Sequence, residues 1–376
     1  MDQASESTSI MTRRRFVALL GLGATAGLLA ACAPAAAPAP TAAPAAKPTE
    51  APKPAAPAAA APTAAPAVKQ TEAGPTDLPH GLSLTWYGHV PTMVAVEKGF
   101  FKDVGLNVEL VSIVTSADRM LALTSGSLQW SNLGSAAALA EMGKNNDSFY
   151  WIGNIDDSPG NDGLVVQPGI DDYAALKGKK VAVTLNSDAE IILYQLLEAN
   201  GLQASDVEIV PMKANEMVAA FTNKSIDAYD VWEPALSDGL KAVPGAKMLG
   251  TEKDTAIFKK NSTQVAPDVL VVRRELIDKY PQTTKKLLDA LFKGVDLVKN
   301  SPDEAAGIVA DKYFKKSKEE TLAGMNTFQY FGGNDQGDRV KRMLGTFNDV
   351  IDWQFANKRI DNKPDPAKWK SDIIAA

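Results

Sequence analysis

From residue 81 onward, short apolar runs alternate with amphipathic stretches, and the hydrophobic period switches at each boundary. Residues 82–87 alternate in the manner of a strand. Pro91 then opens a helix whose apolar positions are Met93, Val94, Val96, Phe100 and Phe101, ending near Gly105. Residues 108–111 read as a second strand, and 117–123 as a helix turning Met120 and Leu121 inward. A third strand starts at 128–130, a helix follows at 136–142, and a fourth strand at 149–152 leads through a polar turn to 164–166. The same alternation returns with strands at 180–184, 207–210 and 226–231, separated by helices at 187–200 and 215–222. Residues 269–272 add a strand that returns to the first unit. Beyond it the chain reads as helical. Leu287, Leu288, Leu291, Phe292, Val295 and Val298 fall on one face, and Val340, Met343, Leu344, Phe347, Val350 and Ile351 on another. Two Ser-x-x-Glu capping boxes are expected, at Ser187–Glu190 and Ser301–Glu304. Short apolar strands joined by helices predict an α/β fold with mainly parallel sheets.

The first 75 residues do not share this pattern. Arg13, Arg14 and Arg15 precede an apolar segment, residues 16–31, that is shorter than the roughly 20 residues a spanning helix needs. It fits the apolar core of an export signal. The basic cluster running into Phe16 resembles a twin-arginine export signal, an ordinary secretory signal being the alternative. Leu29-Ala30-Ala31-Cys32 resembles a bacterial lipobox, with Cys32, the single cysteine of the chain, as the lipid attachment site. Residues 33–75 hold 11 of the 23 prolines among alanine, threonine and lysine, a composition that forms no core. Residues 32–75 are therefore expected to be a disordered tether, and residues 1–31 a removable signal.

Charge and composition narrow the function. The net charge is −6, with no basic run beyond the N-terminus, which argues against a nucleic-acid partner. Two histidines and one cysteine leave little for a metal centre, a disulfide framework or cysteine catalysis, so neither a metal nor a cofactor is expected.

The stretch Val94-Ala95-Val96-Glu97-Lys98-Gly99-Phe100-Phe101-Lys102-Asp103-Val104-Gly105-Leu106 resembles a signature of ABC-importer solute-binding proteins. The branch in question handles sulfonates, taurine, nitrate and thiamine precursors. Similar strings follow in the same order: residues 176–183, 196–202, 206–210, Ile226-Asp227-Ala228, Trp232-Glu233-Pro234 and residues 270–274. The resemblance implies a two-lobed type II periplasmic binding protein fold with a hinge. Lobe 1 would combine 76–167 with 268–376, and lobe 2 would be 168–267. It also implies a monomer that captures a small solute outside the cytoplasm for a permease and an ATPase. The thiamine-synthesis enzymes related to this family need a cysteine-rich motif, which the body of this chain lacks.

In open α/β sheets ligands sit beyond the carboxyl ends of strands, where helix N-termini offer unpaired N–H groups. That places Tyr87, His89, Ser116, Asn132, Ser135 and Asn154 in the cleft from lobe 1, and Asn186, Ser187, Trp232 and Glu233 from lobe 2. Several have structural alternatives. Ser187 could serve its own helix, His89 could brace the turn before Pro91, and Trp232 could pack at a lobe junction. Asp188 and Glu233 are at odds with a purely anionic solute: either they point away, or the solute carries a cationic or donor-bearing end. A catalytic alternative on the same fold would use His89 with Glu233 or Asp188.

Overall fold

The computed structural model describes residues 73–84 and 86–374. The expected export signal, Cys32 and the expected tether up to residue 72 lie outside the described residues. Among the described residues there are twelve strands: β1 His80–Leu82, β2 Leu110–Ser112, β3 Trp130–Gly134, β4 Phe149–Gly153, β5 Asp156–Asp157, β6 Asp162–Val166, β7 Lys180–Val183, β8 Glu208–Pro211, β9 Ala228–Trp232, β10 Lys247–Thr251, β11 Asp268–Arg273 and β12 Gln329–Tyr330.

They form two five-stranded sheets of order β2-β1-β3-β11-β4 and β10-β6-β9-β7-β8, plus the small pair β12-β5. Each large sheet has a parallel core, β2-β1-β3 in one and β9-β7-β8 in the other. Each also contains a single reversed strand, β11 or β6, antiparallel to both neighbours. The reversal has a topological cause. The chain leaves the first sheet after β4 and enters the second as β6, then returns after β10 as β11. A strand arriving from the opposite sheet enters its new sheet against the direction of the βαβ strands already there. The two connections, residues 154–161 and 252–267, lie between the sheets and form the crossing region.

Local structure departs from the sequence pattern at a few places. The first strand ends at Leu82, and Tyr87–His89 is a 3-10 turn, because His89 Nδ1 takes the Ser83 N–H at 3.0 Å and bends the chain. Helix Ser116–Thr124 turns Arg119, Met120 and Leu123 inward and leaves Leu121 67% exposed. Positions 116, 119, 120 and 123 share one face, and Leu121 lies off it. Neither expected capping box forms. Ser187 Oγ donates to Thr184 O instead, Glu190 accepts from Asn186 N, and Ser301 makes no side-chain cap.

The long helices behave as their stripes suggest. Helix Pro281–Asn300 buries Leu287, Leu288, Leu291, Val295 and Val298, with Phe292 half-buried. It meets helix Val90–Glu97 so closely that a Cβ on Gly294 would stand 2.3 Å from Pro91 O, which leaves glycine as the residue that fits. Helix Gln336–Ala356 packs Phe347 edge-on to Trp151 and sends Gln336 and Arg339 into the crossing region.

Candidate functional site

Where the two sheets face each other, a narrow cavity is lined by Ser83, Trp86, Val114, Ser116, Arg119, Asp188, Trp232 and Asp268. Ser83 and Trp86 follow β1, Ser116 and Arg119 open the helix after β2, and Asp268 starts β11. From the second sheet come Asp188, at the first turn of helix Asp188–Ala199, and Trp232, the last residue of β9. Strand ends and helix starts thus converge from both sheets, as open α/β topology dictates.

Arg119 is held through its two Nη atoms, while its buried Nε has no hydrogen-bond partner. Its Nη1 donates to Ile113 O at 2.8 Å and Val114 O at 3.0 Å, and its Nη2 to Ser116 Oγ at 3.0 Å. Ser116 Oγ in turn accepts from Gly134 N at 3.1 Å. Burial lowers the Arg119 pKa to about 10, against the opposing pull of Asp268, Asp188 and Asp118. Gly134 lies beside the two carboxylates. A Cβ there would stand 3.7 Å from an oxygen of Asp188 and of Asp268, and 3.4 Å from Ser116 Oγ.

Carboxyl groups dominate the electrostatics. Burial raises Asp268 to about 7, opposed by Arg119. Burial, then the charge of Asp268, raises Asp188 to about 6. Asp156 accepts from Trp86 Nε1 at 3.1 Å and Asn132 Nδ2 at 3.0 Å, yet burial and Asp268 push it up to about 7. Behind Asp188, Asp162 and Asp230 are held well above the carboxylate range by burial first and Asp188 second. Among the described residues, no group of His, Cys, Asp and Glu has an arrangement that could hold a metal ion.

Of the residues expected in the cleft, Ser116 and Trp232 line this cavity. The others do not line it. His89 is fully buried, with Nδ1 at 3.0 Å from Ser83 N and Nε2 at 3.1 Å from Asn132 O, so it braces the turn before Pro91. Burial lowers its pKa to about 4. Asn132 stands behind the wall, holding Asp156. Asn154 ties the crossing strands together, donating to Asp156 O and Asp268 O and accepting from Arg339 Nε. Tyr87 packs against Phe314 and Phe328. Ser135 is buried beside the cavity, its N–H given to Pro267 O. Asn186 is exposed with a left-handed φ of 57°, and its neighbour Ser187 bonds back to Thr184. Glu233 points away, accepting from Ser237 N and Oγ at 3.2 and 2.6 Å.

Arg119, Asp268, Ser83 and Val114 were not anticipated as site residues. Arg119 carried a signal: a cation at a core-facing position of an amphipathic helix. Asp268 carried a weaker one, a carboxylate heading an apolar strand.

Two α/β lobes joined by crossing strands, with a cavity between their sheets, define a fold of the periplasmic binding-protein type. Residues 86–305 match the family described as NMT1/THI5 like, and the chain belongs to that family. A Bacillus subtilis (strain 168) relative, "Putative aliphatic sulfonates-binding protein", is 30% identical over 284 residues, covering 73% of this chain and 80% of the relative. The "Taurine-binding periplasmic protein" of Escherichia coli (strain K12) is 30% identical over 204 residues, covering 52% of this chain and 59% of that protein. The alkanesulfonate-binding protein SsuA from Xanthomonas axonopodis pv. citri, bound to MOPS, superposes with a TM-score of 0.66 at 15% identity. It covers 80% of this chain and 100% of the SsuA chain, a likeness of fold.

Proposed function

We propose that this protein captures a small organic solute of the sulfonate, taurine or nitrate type between its lobes and delivers it to an ABC importer. It works outside the cytoplasm, tethered to the membrane by lipid on Cys32 and a spacer of residues 33–75. A permease and an ATPase receive the loaded form.

The observation that carries this reading is the cavity's double ownership. Ser116, Arg119 and Asp268 belong to one sheet's elements, and Asp188 and Trp232 to the other's. A solute that touches both favours the closed arrangement by its differential affinity, which is the physical basis of hinge capture. The names of the relatives support the solute class and the extracytoplasmic site. A catalytic use of His89 loses support, because both ring nitrogens already serve the fold.

Calorimetry and thermal shift with taurine, alkanesulfonates, nitrate, a pyrimidine and a flavin test the proposal. Saturable binding of a sulfonate-type solute with a raised Tm is the expected result. Silence across the panel would overturn it. Tight flavin or pyrimidine binding with none to sulfonates would replace the solute class with a heteroaromatic one, which the two cavity tryptophans favour.

A further inference from the structure

The charge around the cavity does not balance. Asp156, Asp162, Asp188, Asp230 and Asp268 are each at most 8% exposed. They come from β5, β6, β9, β11 and the start of helix Asp188–Ala199. Arg119 is the permanent cation acting on Asp188 and Asp268, with Asp118 competing for it from the same helix. His89 faces Asp268 at 3.5 Å but is neutral near pH 7. Arg339 is committed to Asp157. Asp268 Oδ2 and both Asp230 oxygens have no hydrogen-bond partner, although buried acceptors are normally satisfied. Either protons or a bound cation must supply what is missing.

Resting on the solute-capture reading, we propose that the solute carries an N–H-bearing cationic nitrogen held between Asp188 and Asp268 beside Trp86 and Trp232. Its entry displaces protons from this carboxyl group to bulk water. Aromatic faces add attraction for a cation at such a site. The raised values of Asp188, Asp156 and Asp268, about 6 to 7, mean that the empty site holds protons at mildly acidic pH. A bound cation lowers those values, so affinity is full above pH 7 and falls as pH drops through 7 and 6.

Calorimetry on the full-length protein with two matched pairs tests this: taurine against ethanesulfonate, and ethanolamine against ethylene glycol. Runs in buffers of different ionisation heat count the protons exchanged. The expected result is that an amine-bearing member binds at least about tenfold tighter than its partner, with net proton release at pH 6.5. Its affinity should weaken several-fold from pH 7.5 to 5.5. Asp188→Asn should weaken amine binding about ten- to a hundredfold and reduce the proton release. The same variant should raise the Tm of the empty protein at pH 8, showing that it folds. Equal binding within a pair and no proton exchange would overturn the inference and leave solute capture standing. Silence from both pairs overturns the inference as well, and the capture reading falls only if the wider panel is also silent.

Discussion

The crossing region and the cavity both bury carboxylates, and they treat them in opposite ways. At the crossing, Asp157 accepts from Thr263 Oγ1 at 2.7 Å, Gln264 N at 3.3 Å and Arg339 Nη2 at 2.9 Å. Glu252 accepts from Gly160 N at 2.5 Å and Val265 N at 3.1 Å, so it clamps the outgoing connection to the returning one. In the cavity, Asp188 and Asp268 share the influence of one guanidinium whose Nη1 and Nη2 already serve Ile113, Val114 and Ser116. The difference teaches how to separate structure from function in one residue type. Asp157, with a full set of partners, holds the fold together, whereas Asp268, with Oδ2 left unpartnered at the cavity wall, is open to a partner from outside.

The largest effect should come from breaking the saturated region. Arg339→Ala strands Asp157 and removes a hydrogen-bond donor from Asn154 Oδ1, and loss of one partner of a buried pair costs about 3–5 kcal/mol. Urea unfolding of the variant measures it. A loss below about 1 kcal/mol would mean that the crossing is not held by this pair.

The opposite sign is expected in the cavity. Asp268 is raised from 3.8 to about 7 in the folded protein, so the folded state binds more protons than the unfolded one between those values. Ligand-free stability attributable to this group is therefore present below about pH 4 and is lost as pH rises through 7. Asp268→Asn should flatten that decline and raise the Tm at pH 8 by a few degrees, read by calorimetric scans at several pH values. A lower Tm at pH 8 would show that Asp268 is satisfied after all.

A smaller effect separates Glu233 from the cavity acids. Because it accepts from Ser237 at the start of helix Ala235–Ala242, Glu233→Ala should cost about 1 kcal/mol of stability and leave solute affinity nearly unchanged. A tenfold loss of affinity at unchanged stability would return Glu233 to the solute. The smallest effect is expected from shortening the chain to begin at Ala73. That protein should melt and bind as the full chain does, since the removed residues contribute no core composition.

Much of the site's frame is legible in the chain because strand ends are legible. Ser116 and Trp232 follow from where β2 and β9 stop, and Asp188 from the first turn of a helix beginning after β7. Yet strand ends also pointed to His89, Asn154 and Glu233, which hydrogen bonds within the fold have claimed. Asn154 and Arg339 are 185 positions apart, a separation over which no local pattern carries information. Glu233 was lost to a partner only 4 residues away, because a side chain's rotamer is settled by competition among neighbours.

The sequence by itself determined the alternation of strands and helices, the buried faces of the long helices and the family, because periodicity and short motifs are local properties of a chain. Tertiary structure alone decided which acids face one another. Asp188 and Asp268 meet Arg119 only after β6 and β11 have carried the chain across and back, and burial then sets their protonation. Charge balance in a cavity is a property of the assembled space, and no stretch of chain contains it.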